Sequence, residues 1–339
     1  MKRTNKIMAI IAISSMVFAS CSSNDDTKPQ SILEREYFTV QNATVEQGEL
    51  PQSSTGDAFR GVTINSTVLP GGSSFVSLYS EERLSEIYIS VDGVKEYYRL
   101  PVNATHATTQ AAAVEETNLS NVVILFSQNL SKSFTIQLSA RTEGGEIMSL
   151  YSKPLEFLDA GTGTLQVSLS FDNDKDVDLY VVEPNGNVIY WNNRGSKIVD
   201  EETGESYIEW GLDIDSNAEC YIDGINNENI YYPEAYIQSG KYEVWVNMYN
   251  NCDESIATNW VITATKEGAL VPVTYGENPQ SGIFPVGEPS NSIGRSLEGA
   301  LKVMEFTMNG TYNPPAPESA FVLHNTHGEK ETKKPKSQN

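Results

Sequence analysis

Histidine, cysteine and positive charge are scarce in this chain of 339 residues. It has three His, three Cys, and 23 Lys plus Arg against 45 Asp plus Glu, which gives a formal net charge of −22 at pH 7. A nucleic-acid-binding protein needs a basic surface, so this charge argues against nucleic acid as a partner. Three cysteines are too few for a disulfide-dense miniprotein. The lack of several long apolar runs argues against a multi-span membrane protein.

The small number of histidines also argues against catalysis. His324 and His327 lie near the C-terminus, and His106 lies in a Thr- and Ala-rich segment without a supporting motif. The sequence contains no zinc-protease motif, no phosphate-binding glycine loop and no serine nucleophile elbow. A pair of carboxylates could hydrolyse a glycoside, but among 45 acids some pair always has a suitable separation. We therefore predict that the protein is not an enzyme.

The N-terminus has the pattern of a secretory signal peptide. Lys2, Arg3 and Lys6 precede an apolar stretch at 7–18 that is too short to span a bilayer. Small residues and Cys21 follow, and this arrangement resembles the lipobox of bacterial lipoproteins. The resemblance implies that residues 1–20 are removed and that Cys21 becomes the lipidated first residue. An ordinary signal peptide with an incidental Cys is the alternative.

The residues after Cys21 bear on the location of the mature protein. The sequence SSNDD at 22–26 resembles the surface-export signal of lipoproteins in the Bacteroides group. We expect a lipid-anchored protein of the outer membrane that faces outward, with a periplasmic orientation as the alternative. Outer-membrane lipid is then a partner through the acylated Cys21, because several acyl chains give stable anchoring.

Strand-like alternation runs through most of the chain, whereas helical periodicity is absent outside the signal peptide. Residues 133–139 alternate cleanly, and residues 86–91 alternate up to Asp92-Gly93, a strong hairpin signal. We predict an all-β protein with two β-sandwich domains in tandem, immunoglobulin-like or jelly-roll-like in form. The predicted boundaries are a lipidated tether at 21–35, sandwiches at 36–158 and 162–310, and a disordered tail at 311–339. Residues 106–116 are predicted to form a short helix or a loop.

Acidic residues are concentrated in three segments of the predicted second domain. Asp176 and Asp178 are two residues apart in a predicted strand, so their side chains share a face, and Asp213 and Asp215 repeat this spacing. A bound cation would relieve the repulsion, and Ca²⁺ prefers such oxygen ligands. We predict a Ca²⁺ site formed by these side chains and two more acids: Asp176, Asp178, Asp213, Asp215, Asp223 and Glu228. The alternative is a solvated acidic rim without a metal.

Residues 164–265 resemble the YfaP-type bacterial β-sandwich domain. The resemblance is carried by DVDLYVVEPNG at 176–186, IYW at 189–191, LDID at 212–215, ENI at 228–230 and SGKYEVWV at 239–246. Tyr180 stands where the family commonly has His, and the sequence before Glu228 departs from the usual Gly-Pro-Glu turn. The family has no established activity, so the resemblance implies a β-sandwich with an accessory or binding role.

Two cysteines remain once Cys21 is assigned to lipid. Cys220 and Cys252 form an even pair in an oxidising compartment, which favours a disulfide. Two buried free thiols are the alternative.

A non-catalytic binding, adhesion or accessory module is the predicted function, because loops at the ends of sandwiches commonly carry binding sites. The predicted partner is an extracellular protein or glycan. The alternative function is that of a glycan-binding accessory lipoprotein in a polysaccharide uptake system, and a structural subunit of a surface appendage also stays open. Four aromatic residues are candidates for ligand contact, with Trp210 expected at the surface: Trp210, Trp191, Tyr231 and Tyr232.

Overall fold

The computed structural model describes residues 31–102 and 118–317, and almost all of its regular elements are β-strands. The described residues belong to one compact unit that begins at Ser31. The predicted signal peptide, Cys21, all three histidines and most of the predicted tail lie outside the described residues. No helix within the described part is long and apolar enough to cross a membrane.

The first sandwich follows a π-helical turn at Leu33–Tyr37. Its strands are β1 (Phe38–Val40), β2 (Thr44–Gln47), β3 (Gly61–Thr63), β4 (Thr67–Val68), β5 (Ser73–Ser80), β6 (Leu84–Val91), β7 (Glu96–Pro101), β8 (Asn118–Phe126), β9 (Phe134–Thr142) and β10 (Tyr151–Phe157). They form one sheet in the order β1-β8-β5-β3 and another in the order β2-β7-β6-β9-β10-β4. The predicted Asp92-Gly93 hairpin is confirmed, since β6 and β7 pair antiparallel on either side of it.

The second sandwich contains the remaining strands. They are β11 (Leu165–Phe171), β12 (Asp176–Val182), β13 (Val188–Ile189), β14 (Gly195–Val199), β15 (Ser206–Ile214), β16 (Asn227–Tyr232), β17 (Gly240–Asn250), β18 (Thr258–Lys266), β19 (Ala269–Leu270), β20 (Val273–Gly276), β21 (Gln280–Phe284) and β22 (Leu301–Met308). Short 3₁₀ turns lie at Ala218–Cys220 and Glu234–Tyr236. One sheet has the order β14-β15-β16-β11-β18-β19 with β21 also paired to β18, and the other has the order β13-β12-β17-β22-β20.

The predicted all-β fold with two sandwiches is confirmed, and each sandwich encloses its own hydrophobic core. One core is built from residues between Leu33 and Leu155, and the other from residues between Leu165 and Met308. Both cores lie in the same compact unit. Independent folding of the two domains, with the boundaries given above, therefore stays a prediction.

Small polar side chains join the two sandwiches. Every residue of β11 is buried, because Val167 and its alternate neighbours face the core while Gln166, Ser168 and Ser170 face the first sandwich. Gln166 Nε2 donates to Pro70 O at 2.9 Å, and Asn65 Nδ2 donates to Ser170 Oγ at 2.9 Å. Short side chains let the sheets approach closely, so the contact is a specific polar interface.

Strand β12 is buried on both faces. Val177, Leu179 and Val181 contribute to the core between the sheets. Tyr180 and Val182 point to the other side and belong to a smaller cluster that includes residues of the segment before β22. The acidic side chains at the start of β12 are therefore held inside the protein.

Candidate metal centre

Three carboxylates meet at one end of the second sandwich. Asp178 lies near the start of β12, Asp215 directly follows β15, and Glu228 is the second residue of β16. One carboxylate oxygen from each lies within 4.8 Å of the other two. We call Asp178, Asp215 and Glu228 the carboxylate cluster.

The Glu228 carboxylate hydrogen-bonds to the unpaired edge of strand β12 through one oxygen, and its other oxygen has no partner among the described residues. Strand β13 pairs only with Val181 and Val182, so at Leu179 no strand within residues 31–102 and 118–317 pairs with that side of β12. Glu228 Oε2 accepts the Leu179 N–H at 2.7 Å in place of a strand carbonyl. Glu228 is 1% exposed, yet its Oε1 has no hydrogen-bond partner among the described residues. A buried carboxylate oxygen in this state is costly, which favours a ligand that would satisfy it.

The other two members of the cluster have little positive charge near them. Asp178 is 2% exposed, and its Oδ2 accepts the Tyr180 hydroxyl at 2.9 Å. Asp215 is half-buried, and its Oδ2 lies 3.8 Å from Arg194 Nη1. The guanidinium also donates to the carbonyls of Leu212 and Asp213. Arg194 therefore lies beside Asp215 and does not balance the charge of all three carboxylates.

Burial and mutual repulsion raise the pKa values of the cluster. Burial raises the pKa of Asp178 well above its ordinary value, and the charge of Asp176 raises it further. Burial also raises the pKa of Glu228, with a further contribution from Asp178. The pKa of Asp215 is raised by burial, although Arg194 opposes the shift. The raised pKa values favour the protonated forms of these groups, and a divalent cation would compete with the protons.

Asp176 connects the cluster to the loop that follows β15. Its side chain is 1% exposed, and Oδ2 accepts the Glu219 N–H at 2.8 Å and Asn250 Nδ2 at 3.2 Å. Burial raises the pKa of Asp176 to about 6. Its nearness to Asp178 makes it a fourth carboxylate beside the cluster.

The donor set suits a hard cation such as Ca²⁺. All side-chain ligands in the cluster are carboxylate oxygens, whereas zinc sites commonly use Cys or His. Two oxygens on opposite sides of a Ca²⁺ ion lie about 4.6–5.2 Å apart, twice the usual bond length. The separation of up to 4.8 Å within the cluster is compatible with that distance.

Two of the six predicted ligands, Asp213 and Asp223, are not members of the carboxylate cluster, and their carboxylates accept hydrogen bonds from other groups. Asp213 Oδ2 accepts the Gly161 N–H at 2.5 Å, and its Oδ1 accepts Asn229 Nδ2 at 2.8 Å. The register between β15 and β16 shifts between Leu212 and Ile214. This irregularity breaks the strand alternation from which Asp213 and Asp215 were predicted to act together.

Asp223 instead organises its own loop. Oδ1 accepts the Ser216 hydroxyl at 2.9 Å and the Ile225 N–H at 2.8 Å, and Oδ2 accepts the Asn217 N–H at 3.1 Å. These are the short-range bonds with which Asp stabilises turns. Asp223 is therefore a structural residue of the loop.

The predicted disulfide is confirmed. Cys220 and Cys252 are bonded, with 32 residues of sequence separation. The bond joins the loop between β15 and β16 to the loop between β17 and β18. In the first of these loops, Glu219 and Cys220 have φ values of 53° and 65°, which non-glycine residues adopt rarely.

The predicted ligand-contact aromatics are part of the protein's own packing. Trp210 is 8% exposed and stacks on Tyr232, which is fully buried. Tyr231 is buried, and its hydroxyl donates to Ile208 O at 2.5 Å. Trp191 is half-buried and packs edge-on against Tyr249. The expectation of a surface position for Trp210 is wrong, and the rings of Trp210, Tyr231 and Tyr232 are buried.

Sequence signals explain some of these outcomes. The flanking Glu209 and Gly211 made Trp210 resemble a surface residue, but its neighbours in space come from distant parts of the chain, among them Tyr312. Arg194 was missed because only the pairing of Gly195 with Gly211 in strands β14 and β15 brings it beside Asp215. No local motif indicates that pairing.

Comparisons with known proteins found no matching family model and no matching curated protein. Among solved structures, the C-terminal domain of the Streptococcus agalactiae antigen I/II polypeptide BspA is 9% identical, with a TM-score of 0.19, and the match covers 66% of this chain and 96% of that one. The C-terminal domain of the Streptococcus pyogenes antigen I/II-family protein AspA is also 9% identical, with a TM-score of 0.18 and the same coverage. Fervidolysin from Fervidobacterium pennivorans is 11% identical, with a TM-score of 0.17, and the match covers 77% of this chain and 35% of that one. Similarities this low support no argument about function.

Proposed function

We propose that this protein is a non-catalytic binding module of the cell surface, anchored to outer-membrane lipid through Cys21 and stabilised by one Ca²⁺ ion in its second sandwich. The carboxylate cluster, with the unpartnered Oε1 of buried Glu228, is the observation that carries the proposal. The cation would be held by Asp178, Asp215 and Glu228, with Asp176 beside them. Its charge would remove the repulsion among these groups.

The cluster lies under the loops in which a sandwich commonly carries a binding surface. Asp215 begins the loop between β15 and β16, and Asp176 accepts a backbone N–H from Glu219 in that same loop. A cation at the cluster would therefore order the loop as well as the strand ends. Its role in the proposal is structural, since it prepares a binding surface and performs no chemistry.

Thermal unfolding of the chain from Ser22 onward tests the cation. The melt is recorded in excess chelator, in millimolar Ca²⁺, and in Mg²⁺ at the same ionic strength. Ca²⁺ at 100-fold over its Kd should add about 2.7 kcal/mol to the free energy of unfolding and raise Tm by several degrees. Mg²⁺ should do less, because it requires a smaller and more regular octahedral site. An unchanged Tm in Ca²⁺ would refute the cation's role.

The lipid anchor is tested separately in the producing cell. Mass spectrometry of the N-terminal peptide should show acyl chains on Cys21, and the variant Cys21→Ser should lose membrane association. Digestion of intact cells by an added protease then reports which side of the outer membrane the protein faces. An unmodified Cys21 in the mature protein would contradict the anchor.

A further inference from the structure

Three loops form one surface above the carboxylate cluster. They are residues 215–226 between β15 and β16, residues 251–257 between β17 and β18, and residues 285–292 after β21; we call them the apical loops. The first two are joined by the Cys220–Cys252 disulfide. The second and third are joined by the Gly287 N–H, which donates to Glu254 O at 3.0 Å, and by hydrogen bonds from Asn251.

These loops expose an unusual share of the protein's large apolar side chains. Nine such side chains are exposed among the described residues, and four of them lie on the apical loops, which make up about a tenth of those residues. Tyr221 is 80% exposed and Val286 is 62% exposed, with Ile222 and Ile256 also open to solvent. Grouped exposed apolar side chains mark interaction surfaces, whereas scattered ones need no explanation.

The charge on the same loops has a single sign. Apart from Asp215 of the carboxylate cluster, they carry five acidic residues and no Lys or Arg: Glu219, Asp223, Asp253, Glu254 and Glu288. A complementary partner would therefore present Lys or Arg around an apolar centre. The same charge disfavours contact with anionic lipid, and it disfavours pairing of this surface with a second copy of itself.

The apical loops are also held in shape before any partner binds. Asp223 fastens the first loop through three internal hydrogen bonds, and Asn217 Nδ2 donates to Lys175 O at 2.9 Å beneath it. Asn251 Nδ2 donates to Glu288 O at 2.7 Å across to the third loop. A surface ordered in this way loses little conformational entropy on binding.

We propose that the apical loops are a docking surface for a basic polypeptide, which would place apolar side chains against Tyr221, Ile222 and Val286 and its cationic side chains against the surrounding carboxylates. The inference rests on the proposed binding function and names its partner class. A membrane or a second copy of the chain is another possible occupant, and the experiment distinguishes these.

The test pans a random 12-residue peptide library displayed on phage against the chain from Ser22 onward in Ca²⁺. The strongest enriched peptide is synthesised, and its Kd is measured by fluorescence anisotropy. The apical variant replaces three apolar side chains: Tyr221→Ser, Ile222→Ser and Val286→Ser. The control variant replaces the same residue types at exposed positions elsewhere: Tyr207→Ser, Ile32→Ser and Val199→Ser.

Enriched peptides should be positively charged with apolar residues. Their binding should weaken at least tenfold in the apical variant, stay within twofold in the control variant, and weaken with added salt. Absence of enrichment, enrichment of acidic peptides, or equal binding to both variants would overturn the proposal. So would apical-loop-dependent binding to phosphatidylcholine vesicles, or dimerisation in sedimentation that the apical variant abolishes.

Calorimetry with Ca²⁺ on the same proteins separates this inference from the proposed function. The substituted side chains are not members of the carboxylate cluster, so the apical variant should keep the Ca²⁺ affinity of the wild type. Ca²⁺ binding without peptide binding refutes only the docking surface. Peptide binding at the apical loops without Ca²⁺ binding refutes only the role of the cation.

Discussion

Replacing Glu228 by Gln should stabilise the cation-free protein, although it alters a fully buried core position. Gln keeps the shape of the side chain, and its carbonyl oxygen can still accept the Leu179 N–H that Glu228 Oε2 accepts at 2.7 Å. The amide NH₂ takes the place of the unpartnered Oε1 and carries no charge. The substitution therefore removes one charge from the cluster without opening a cavity.

The size of the effect follows from the separation of the charges. Two unit charges 4.8 Å apart repel by about 3.5 kcal/mol at an effective dielectric constant of about 20. Retained protons already relieve part of this repulsion, because the pKa values of Asp178 and Glu228 are raised. We expect Glu228→Gln to increase the free energy of unfolding by about 1–3 kcal/mol at pH 8 in excess chelator.

Urea unfolding in chelator and in millimolar Ca²⁺ is the assay. In Ca²⁺ the order should reverse, because the wild type gains the free energy of cation binding and the variant has lost a ligand. The exposed substitution Glu156→Gln is the control, and it should change stability by less than about 0.5 kcal/mol in either solution. Destabilisation by Glu228→Gln in chelator, or an equal effect of Ca²⁺ on variant and wild type, would refute the reasoning.

Three further predictions concern the rest of the structure. Burial raises the pKa of Glu183 to about 7, against about 4.3 in an unfolded chain, so the native state holds this proton more tightly. In saturating Ca²⁺, the free energy of unfolding should therefore fall by about 3 kcal/mol through this group as pH rises from about 4.3 to 7, and Glu183→Gln should remove that fall in urea titrations. The free energy of unfolding of the double variant Cys220→Ser, Cys252→Ser should be about 3–4 kcal/mol lower than that of the wild type, because the disulfide reduces the entropy of the unfolded chain. A loss below about 1 kcal/mol would contradict this expectation. Gly71 has φ +69°, and a Cβ there would overlap Gln166 Oε1. Gly71→Ala should therefore lower the free energy of unfolding by about 1–3 kcal/mol, and an unchanged value in chemical denaturation would argue against a close contact between the sandwiches.

The alternation of side chains between the two faces of a single strand could be predicted well from the sequence. The side chains of Asp176 and Asp178 were expected on one face, opposite Val177 and Leu179, and the structure places both carboxylates side by side at the start of β12. This worked because the period of two is a local property of an extended chain. The same rule failed for Asp213, because a register irregularity in β15 redirects its side chain toward Gly161.

Contacts between distant segments could not be predicted in this way. Glu228 meets Asp178 because β13 is too short to cover the edge of β12, and the length of a neighbouring strand is not encoded in the residues around Glu228. Trp210 is buried because Tyr236 and Tyr312 pack on it from other parts of the chain. The burial of β11 on both faces likewise depends on the packing of the first sandwich against it.

Titration calorimetry with Ca²⁺ at pH 7.5 tests the central claim most directly. It compares the wild type with Asp178→Asn, which removes a cluster carboxylate, and with Asp174→Asn, which removes an exposed carboxylate four residues earlier. The account predicts one Ca²⁺ per chain in the wild type, unchanged binding in Asp174→Asn, and at least tenfold weaker binding in Asp178→Asn. Equal binding by all three proteins, or no binding by the wild type, would contradict it.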